Sequence, residues 1–250
     1  MNDFEYKTLL DQRRMTLEEL EEYFKILRMV EFERQTLYDM KVRKKILTLI
    51  KMLLKIDRII NRRSIKVVGD ERYHTNRGKV YVCTSSSDFA IPSLVEVLDE
   101  LTWTVLPSLS GSDVKTMDFL RRMNLVTVFA SKDGREKKII ENRQYKNLMT
   151  GGSELIFPEM VDKPSHVLEE GALDSRFVKR VVDARASIVP VAIMDCSKEN
   201  KTLLYIGKNL EIGELSQEYY SEVVRIVQTD LIDLKKKLVA NTEKTLTKIR

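Results

Sequence analysis

The sequence predicts an α/β layered domain with helices in front of it and one long helix behind. Three observations carry that expectation. From Glu5 to Arg63 there is neither glycine nor proline, and apolar residues recur at three and four, the spacing of helices that bury one face. Beyond Arg63, short β-rich runs alternate with helical or turn-rich stretches, the pattern of strands separated by helices. From Ser216 to about Val239 the helical spacing returns without interruption.

Taken in order, Thr16 with Glu19 makes a capping box, which starts a helix through Leu20, Tyr23, Phe24 and Leu27. A further helix covers about Val42 to Ile60. Its Lys44, Thr48, Lys51, Lys55, Arg58 and Arg62 fall along one stripe, while Ile46, Leu49, Ile50, Leu53, Leu54, Ile56, Ile59 and Ile60 fill the rest. The helix therefore has a wide apolar face and a narrow basic one. Strands are expected near Lys79 to Cys83, Thr102 to Leu106, Val126 to Phe129, Glu154 to Phe157 and Ser187 to Ile193. A final hairpin is expected from Thr202 to Ile206 and Leu210 to Ile212, turning through Gly207, Lys208 and Asn209. Between the strands, helices are expected at Pro92 to Glu100, Val114 to Met123, Ile140 to Met149 and Ser175 to Ala184. In the last helix Tyr219, Val223, Ile226, Val227, Leu231 and Leu234 make the side that should dock on the domain.

Composition narrows the class. The chain has 250 residues, enough for one α/β domain with a core plus a helical appendage. Two cysteines, far apart, argue for a reducing compartment and against a disulfide framework, which leads to a cytoplasmic expectation. No run approaches the roughly 18 apolar residues a membrane span needs, and the start around Asn2, Asp3 and Glu5 is not a secretory signal, so membrane contact is expected to be peripheral. No metal site is expected. The net charge of +5 is unevenly placed: between Lys41 and Arg63 only Asp57 opposes nine basic residues. That basic helix has three readings. Docking on a membrane surface fits a large apolar face flanked by Lys and Arg. Packing on the domain, or on another copy in a homodimer, fits as well. Nucleic-acid binding fits least, because no motif or aromatic platform accompanies the charge.

Four stretches carry chemistry. Gly151-Gly152-Ser153-Glu154-Leu155-Ile156-Phe157-Pro158-Glu159 reads as a glycine-ended helix followed by a strand that closes in Phe-Pro-Glu. Ile188 to Ile193 is a buried strand around Pro190, Val82 to Asp88 leaves another strand, and Asn124 to Ser131 surrounds a fourth. In this order and spacing they resemble the motifs of the glycerolipid acyltransferases of the lysophosphatidic acid type, over about Lys79 to Glu211. The resemblance implies a mixed, mainly parallel sheet flanked by helices, of the glycerol-3-phosphate acyltransferase kind, with an N-terminal helical hairpin at 1–63 and an acyltransferase-like domain at 64–250. It also implies fatty acyl transfer to a lysophospholipid. Acyl-CoA or an acyl-carrier protein would be the donor, with no cofactor, and the helical start is like the membrane-lying hairpin of some family members.

The family's chemical positions are largely replaced. Its first motif is Asn-His, four variable residues, then Asp; here Cys83 stands for the histidine and Asp88 for the acid, with Ser85 among the residues between. In the family that imidazole takes the proton from the acceptor hydroxyl, assistance worth roughly 10²–10⁴-fold, and a thiol does not substitute in that role. In the second motif Leu125 stands for a glycine and Ser131 for the arginine that grips the acceptor's phosphate, with Lys132 beside it as a point charge rather than a fork. In the third, Met160 and Val161 follow Glu159 where Gly-Thr is usual. The expectation is weak or absent turnover with lipid or acyl-chain binding retained. Two alternatives stay open. One is covalent transfer through Cys83, assisted by Asp88, Glu159 or His166. The other is a scaffold that binds a protein partner. Asp88 reads equally as the N-cap of the following helix, and Glu159 as a structural carboxylate.

Overall fold

A computed structural model of the chain describes residues 16–20, 22–23, 37–75, 77–84, 89–100, 102–106, 126–128, 134–157, 173, 175–196 and 199–247. The expected capping box forms. Thr16 N–H and its hydroxyl both donate to Glu19 Oε2, at 2.8 and 2.9 Å, and Glu19 N–H returns to Thr16 Oγ1 at 3.3 Å. Those bonds, the backbone one first, hold the Glu19 carboxyl below its ordinary pKa.

Helix α1 (Leu37–Ile60) has no glycine or proline to break it, and it stops where Arg62 turns left-handed at φ 52°. Arg63 N–H bonds to Arg58 O at 2.9 Å and Arg62 N–H to Ile59 O at 3.1 Å, a Schellman-type end. Leu47, Ile50 and Leu54 are buried, and the last two join the core beneath the helix. The same side carries basic residues: Lys51 pairs with Asp99 at 3.5 Å and Arg58 with Glu96 at 2.9 Å. Part of the basic stripe thus turns toward the domain. Ile46, Leu49, Met52, Leu53, Ile56, Ile59 and Ile60 are left as an exposed apolar arc on the other side.

Among the described residues eight strands form one sheet: β1 (Ser64–Asp70), β2 (Lys79–Cys83), β3 (Thr102–Leu106), β4 (Val126–Val128), β5 (Ser153–Ile156), β6 (Ser187–Cys196), β7 (Lys201–Ile206) and β8 (Leu210–Glu211). The order is β1-β7-β6-β2-β5-β3-β4, with β8 also on β6. β6, β2, β5, β3 and β4 run parallel, with described helices between β2 and β3, between β4 and β5 and between β5 and β6. β7 is antiparallel to β6 and parallel to β1. Helix α2 (Ala90–Val97) and α1 cover one face of the sheet, whose core holds Tyr81, Cys83, Leu155, Val189 and Val191. Helices α3 (Gly134–Met149), α4 (Arg176–Asp183) and α5 (Tyr220–Thr247) serve the other, with Val80, Val82, Phe177, Val178, Val227 and Leu231 at its centre.

Three expectations are corrected. The hairpin of Thr202–Ile206 with Leu210–Ile212 does not pair with itself; β7 pairs with β6 and β1, and β8 with β6, because the tight reversal lies earlier, between Cys196 and Lys201. Strand β1 was not anticipated, since its half-exposed Ser-Ile-Lys-Val-Val-Gly-Asp lacks a buried alternation and its pairing partner lies far along the chain. Tyr219, in the 3-10 turn just before α5, and Ile226 on α5 are exposed, while Val224 and Leu238 are buried, because the docking stripe runs Val223, Val227, Leu231, Leu234, Leu238. The expected helix at Val114–Met123 lies outside the described residues.

Candidate functional site

The carboxyl ends of the parallel strands, where ligands of open α/β sheets bind, are set by register. Lys79 lies level with Ser153 and Ser187, Tyr81 with Leu155 and Val189, and Cys83 with Val191. Cys83 therefore ends β2 between the close of β5, which leads into Phe157, and the middle of β6, and Phe157 shares its core cluster. The stretches that resemble the first, third and fourth motifs lie side by side there. Beyond Cys83 the chain is clamped to β6. Thr84 N–H donates to Val191 O at 3.0 Å, and the Thr84 hydroxyl accepts from Ile193 N–H at 2.9 Å.

Pro190 sits in β6 between the ladder to β8, which reaches Ile188, and the ladder to β7, which begins at Val191. Its carbonyl accepts from Gly207 N–H at 2.9 Å, and a residue without its own N–H is tolerated in such a gap. The Gly-Gly helix end has its own cause. Gly151 is left-handed at φ 74°, Gly151 N–H bonds to Leu148 O at 3.1 Å, and Gly152 N–H to Asn147 O at 2.9 Å, so α3 closes in a Schellman motif that feeds β5.

Cys83 is fully buried among apolar side chains, and its thiol has only a weak contact, donating to Tyr81 O at 3.8 Å. Burial pushes the thiol's pKa well up, so it carries no thiolate near neutrality. The other candidates, Ser85, Asp88, Ser131, Lys132, Glu159, Met160 and His166, lie outside the described residues. Among the described residues no cluster of His, Cys, Asp and Glu is arranged to hold a metal ion, and no helix is long and apolar enough to cross a membrane.

Two arrangements escaped the sequence reading. At the amino ends of the strands, Lys79 is buried against Glu100, which also accepts from the Tyr81 hydroxyl at 2.9 Å; Arg72 reaches that hydroxyl at 3.5 Å. With Arg58 on Glu96 and Lys51 on Asp99, this network ties the end of α2 to α1, β2 and the β1–β2 loop. At the opposite end, the Arg63 guanidinium lies 3.8 Å over the Phe89 ring at the start of α2. No local sequence signal marks either, because the partners come from different elements.

This sheet order, with α1 and α2 on one face and the C-terminal helix on the other, defines a mixed α/β fold. The crystal structure of the 1-acyl-sn-glycerophosphate (LPA) acyltransferase PlsC from Thermotoga maritima is similar to it, with a TM-score of 0.55 over 85% of this chain and 89% of that chain. The identity between the two is 15%, so the likeness is one of fold. No protein-family model matches the sequence, and no curated protein matches it.

Proposed function

We propose that this chain is a peripheral membrane-surface protein that uses the acyltransferase fold to bind a lysophospholipid or acyl chain and turns over weakly or not at all. The observation that carries this reading is Cys83: at the end of β2, where the resembling motif has its histidine, stands a buried thiol with a raised pKa. Such a group neither accepts a proton from an attacking alcohol nor attacks a thioester as thiolate. It speaks against the covalent route as much as against the ordinary one. The exposed arc of α1 supports membrane docking, since seven large apolar side chains from Ile46 to Ile60 face outward, on a helix that also exposes Lys45 and Lys55. Two free cysteines fit a cytoplasmic setting. In the ancestral reaction, acyl-CoA or acyl-carrier protein would supply the chain.

The test has three arms. Incubation with a long-chain acyl-CoA and lysophosphatidic acid should give little or no product, and turnover at an ordinary enzymatic rate would refute the inactive reading. Intact-mass measurement after the same incubation should show no acyl adduct, and an adduct lost in Cys83→Ala would restore the covalent route. Sedimentation with anionic liposomes should carry the wild type down and leave an Ile56→Asp, Ile60→Asp variant in solution. A stable dimer that ignores the liposomes would favour a protein-binding scaffold instead.

A further inference from the structure

We infer that the row Ser153, Lys79, Ser187, which crosses β5, β2 and β6 at their amino ends, is a hydration site that holds two buried waters, one on each side of the Lys79 ammonium. The site lies at the opposite end of β2 from Cys83, and it does not depend on lipid binding. Register makes the row. Ser153 and Ser187 are both level with Lys79, so their Cβ atoms flank its own at about the 4.8 Å of strand spacing. All three side chains point to the α1 and α2 side, because Tyr81, Leu155 and Val189, two residues further along the same strands, belong to the core on that side. They are also sealed from solvent: the two serines are 0% exposed and Lys79 is 1% exposed.

The main chain of the row is satisfied, since Lys79 N–H donates to Gly152 O at 3.3 Å and Ser187 N–H to Gly78 O at 3.0 Å. Its side chains are not. Among the described residues neither serine hydroxyl has a hydrogen-bond partner, and Lys79 gives one of its three N–H groups to Glu100, whose other oxygen accepts from the Tyr81 hydroxyl at 2.9 Å. Two hydroxyls and two ammonium N–H groups therefore lack protein partners at one level of the sheet, and a buried polar group left in that condition destabilises the fold. A serine side chain ends one atom past Cβ, close to its strand, whereas Lys79 reaches out to Glu100 beyond the end of α2, so one bridging molecule spans what a direct bond does not. Two waters satisfy the whole set. Each accepts one N–H from Lys79 and shares one bond with a serine, and Glu100 keeps lone pairs for a third. Charge selects water over an ion. Lys79 is balanced by Glu100 and Arg72 by Asp70, so a bound anion would be an uncompensated charge in the core, and a cation would meet the ammonium.

The experiment joins unfolding to diffraction, both on the full chain. Ser153→Ala and Ser187→Ala should each lower the urea midpoint by roughly 0.5 M, the effect of one lost water-bridged bond in a domain of this size. The opposite sign is expected without the waters, because removing a buried hydroxyl that bonds to nothing relieves its desolvation and raises the midpoint. A rise for either serine therefore overturns the pair of waters. With Lys79→Met and Glu100→Leu together, which take both charges out at similar volume, the same serine variants should no longer lower the midpoint; an undiminished loss would mean that the hydroxyls bond elsewhere, and the inference falls. If that background does not fold, the single variants decide alone. A crystal structure of the wild type grown with sodium bromide should show two ordered waters, each within about 3.2 Å of Lys79 Nζ and of one serine Oγ. An anomalous bromide peak in either position, or a serine Oγ bonded directly to Lys79 Nζ or turned onto a backbone carbonyl, overturns it.

Discussion

Cys83 and Cys196 are both free, yet their surroundings differ enough to predict opposite behaviour. Cys83 is sealed in the core, while Cys196 ends β6 partly exposed. A chromogenic disulfide reagent added to the native protein should therefore release one equivalent promptly, from Cys196, and the second only as denaturant unfolds the chain. Two prompt equivalents would show that Cys83 is accessible and would reopen its nucleophilic role. Two glycines give a second contrast. A Cβ on Gly78 would stand 2.2 Å from the Leu148 carbonyl oxygen, a backbone atom that cannot swing away, so Gly78→Ala should cost about 3 kcal/mol in urea unfolding. Gly151 needs only its left-handed φ of 74°, and Gly151→Ala should cost about 1 kcal/mol. The second was readable in the sequence, since a Gly-Gly pair closing a helix acts on its own last turn. Gly78 was not, because what makes it necessary is the end of α3, far along the chain.

Helix α1 is joined to α2 both by apolar contact and by charge, and the strength of the charged part can be measured. Arg58 and Glu96 are 26% and 15% exposed, and the guanidinium spans both carboxylate oxygens. A double-mutant cycle with Arg58→Ala and Glu96→Ala should return a coupling of about 1–2 kcal/mol, more than an exposed pair gives and less than a fully buried one. A coupling near zero would mean that Leu47, Ile50 and Leu54 alone hold the helix down. The elements best foreseen were those whose cause is local. β2 and β3 have the expected limits because central parallel strands are short, continuous apolar or β-branched runs. β1 and the true partners of β7 were missed because edge pairing depends on which segment arrives beside which, and an exposed edge imposes no alternation. The site was legible to the same degree. The run ending in Cys83 announces a strand that stops at a chemical position, whereas Arg63 on Phe89 joins two helix ends that sequence spacing does not relate.

For the molecule as a whole, one buried carboxyl that couples stability to pH is Glu154. It is buried between β5 and the α3–α4 layer, accepts from Gln144 and pairs with Arg180 at 3.0 Å. Burial raises its pKa above the usual 4.5, and the Arg180 charge only partly offsets that. An acid with a raised folded pKa binds its proton more tightly in the fold, so its stabilising contribution is present below the unfolded value and lost as pH climbs through the folded one. As pH rises above that usual value the wild type should therefore lose stability relative to Glu154→Gln, and urea midpoints of the two proteins that stay parallel as pH rises would disprove it. A last consequence follows from the edge of the sheet. In β1 the register steps from Val67 on Leu204 to Gly69 on Tyr205, leaving Val68 as an extra residue, and Gly69 tolerates no side chain because a Cβ would meet the Tyr205 ring at 2.5 Å. The bulge breaks the even row of outer donors and acceptors, and Lys66 beside it adds an exposed charge. Were molecules to gather in water through their α1 helices, the β1 edges would resist zipping together, so such clumps should disperse again in mild detergent.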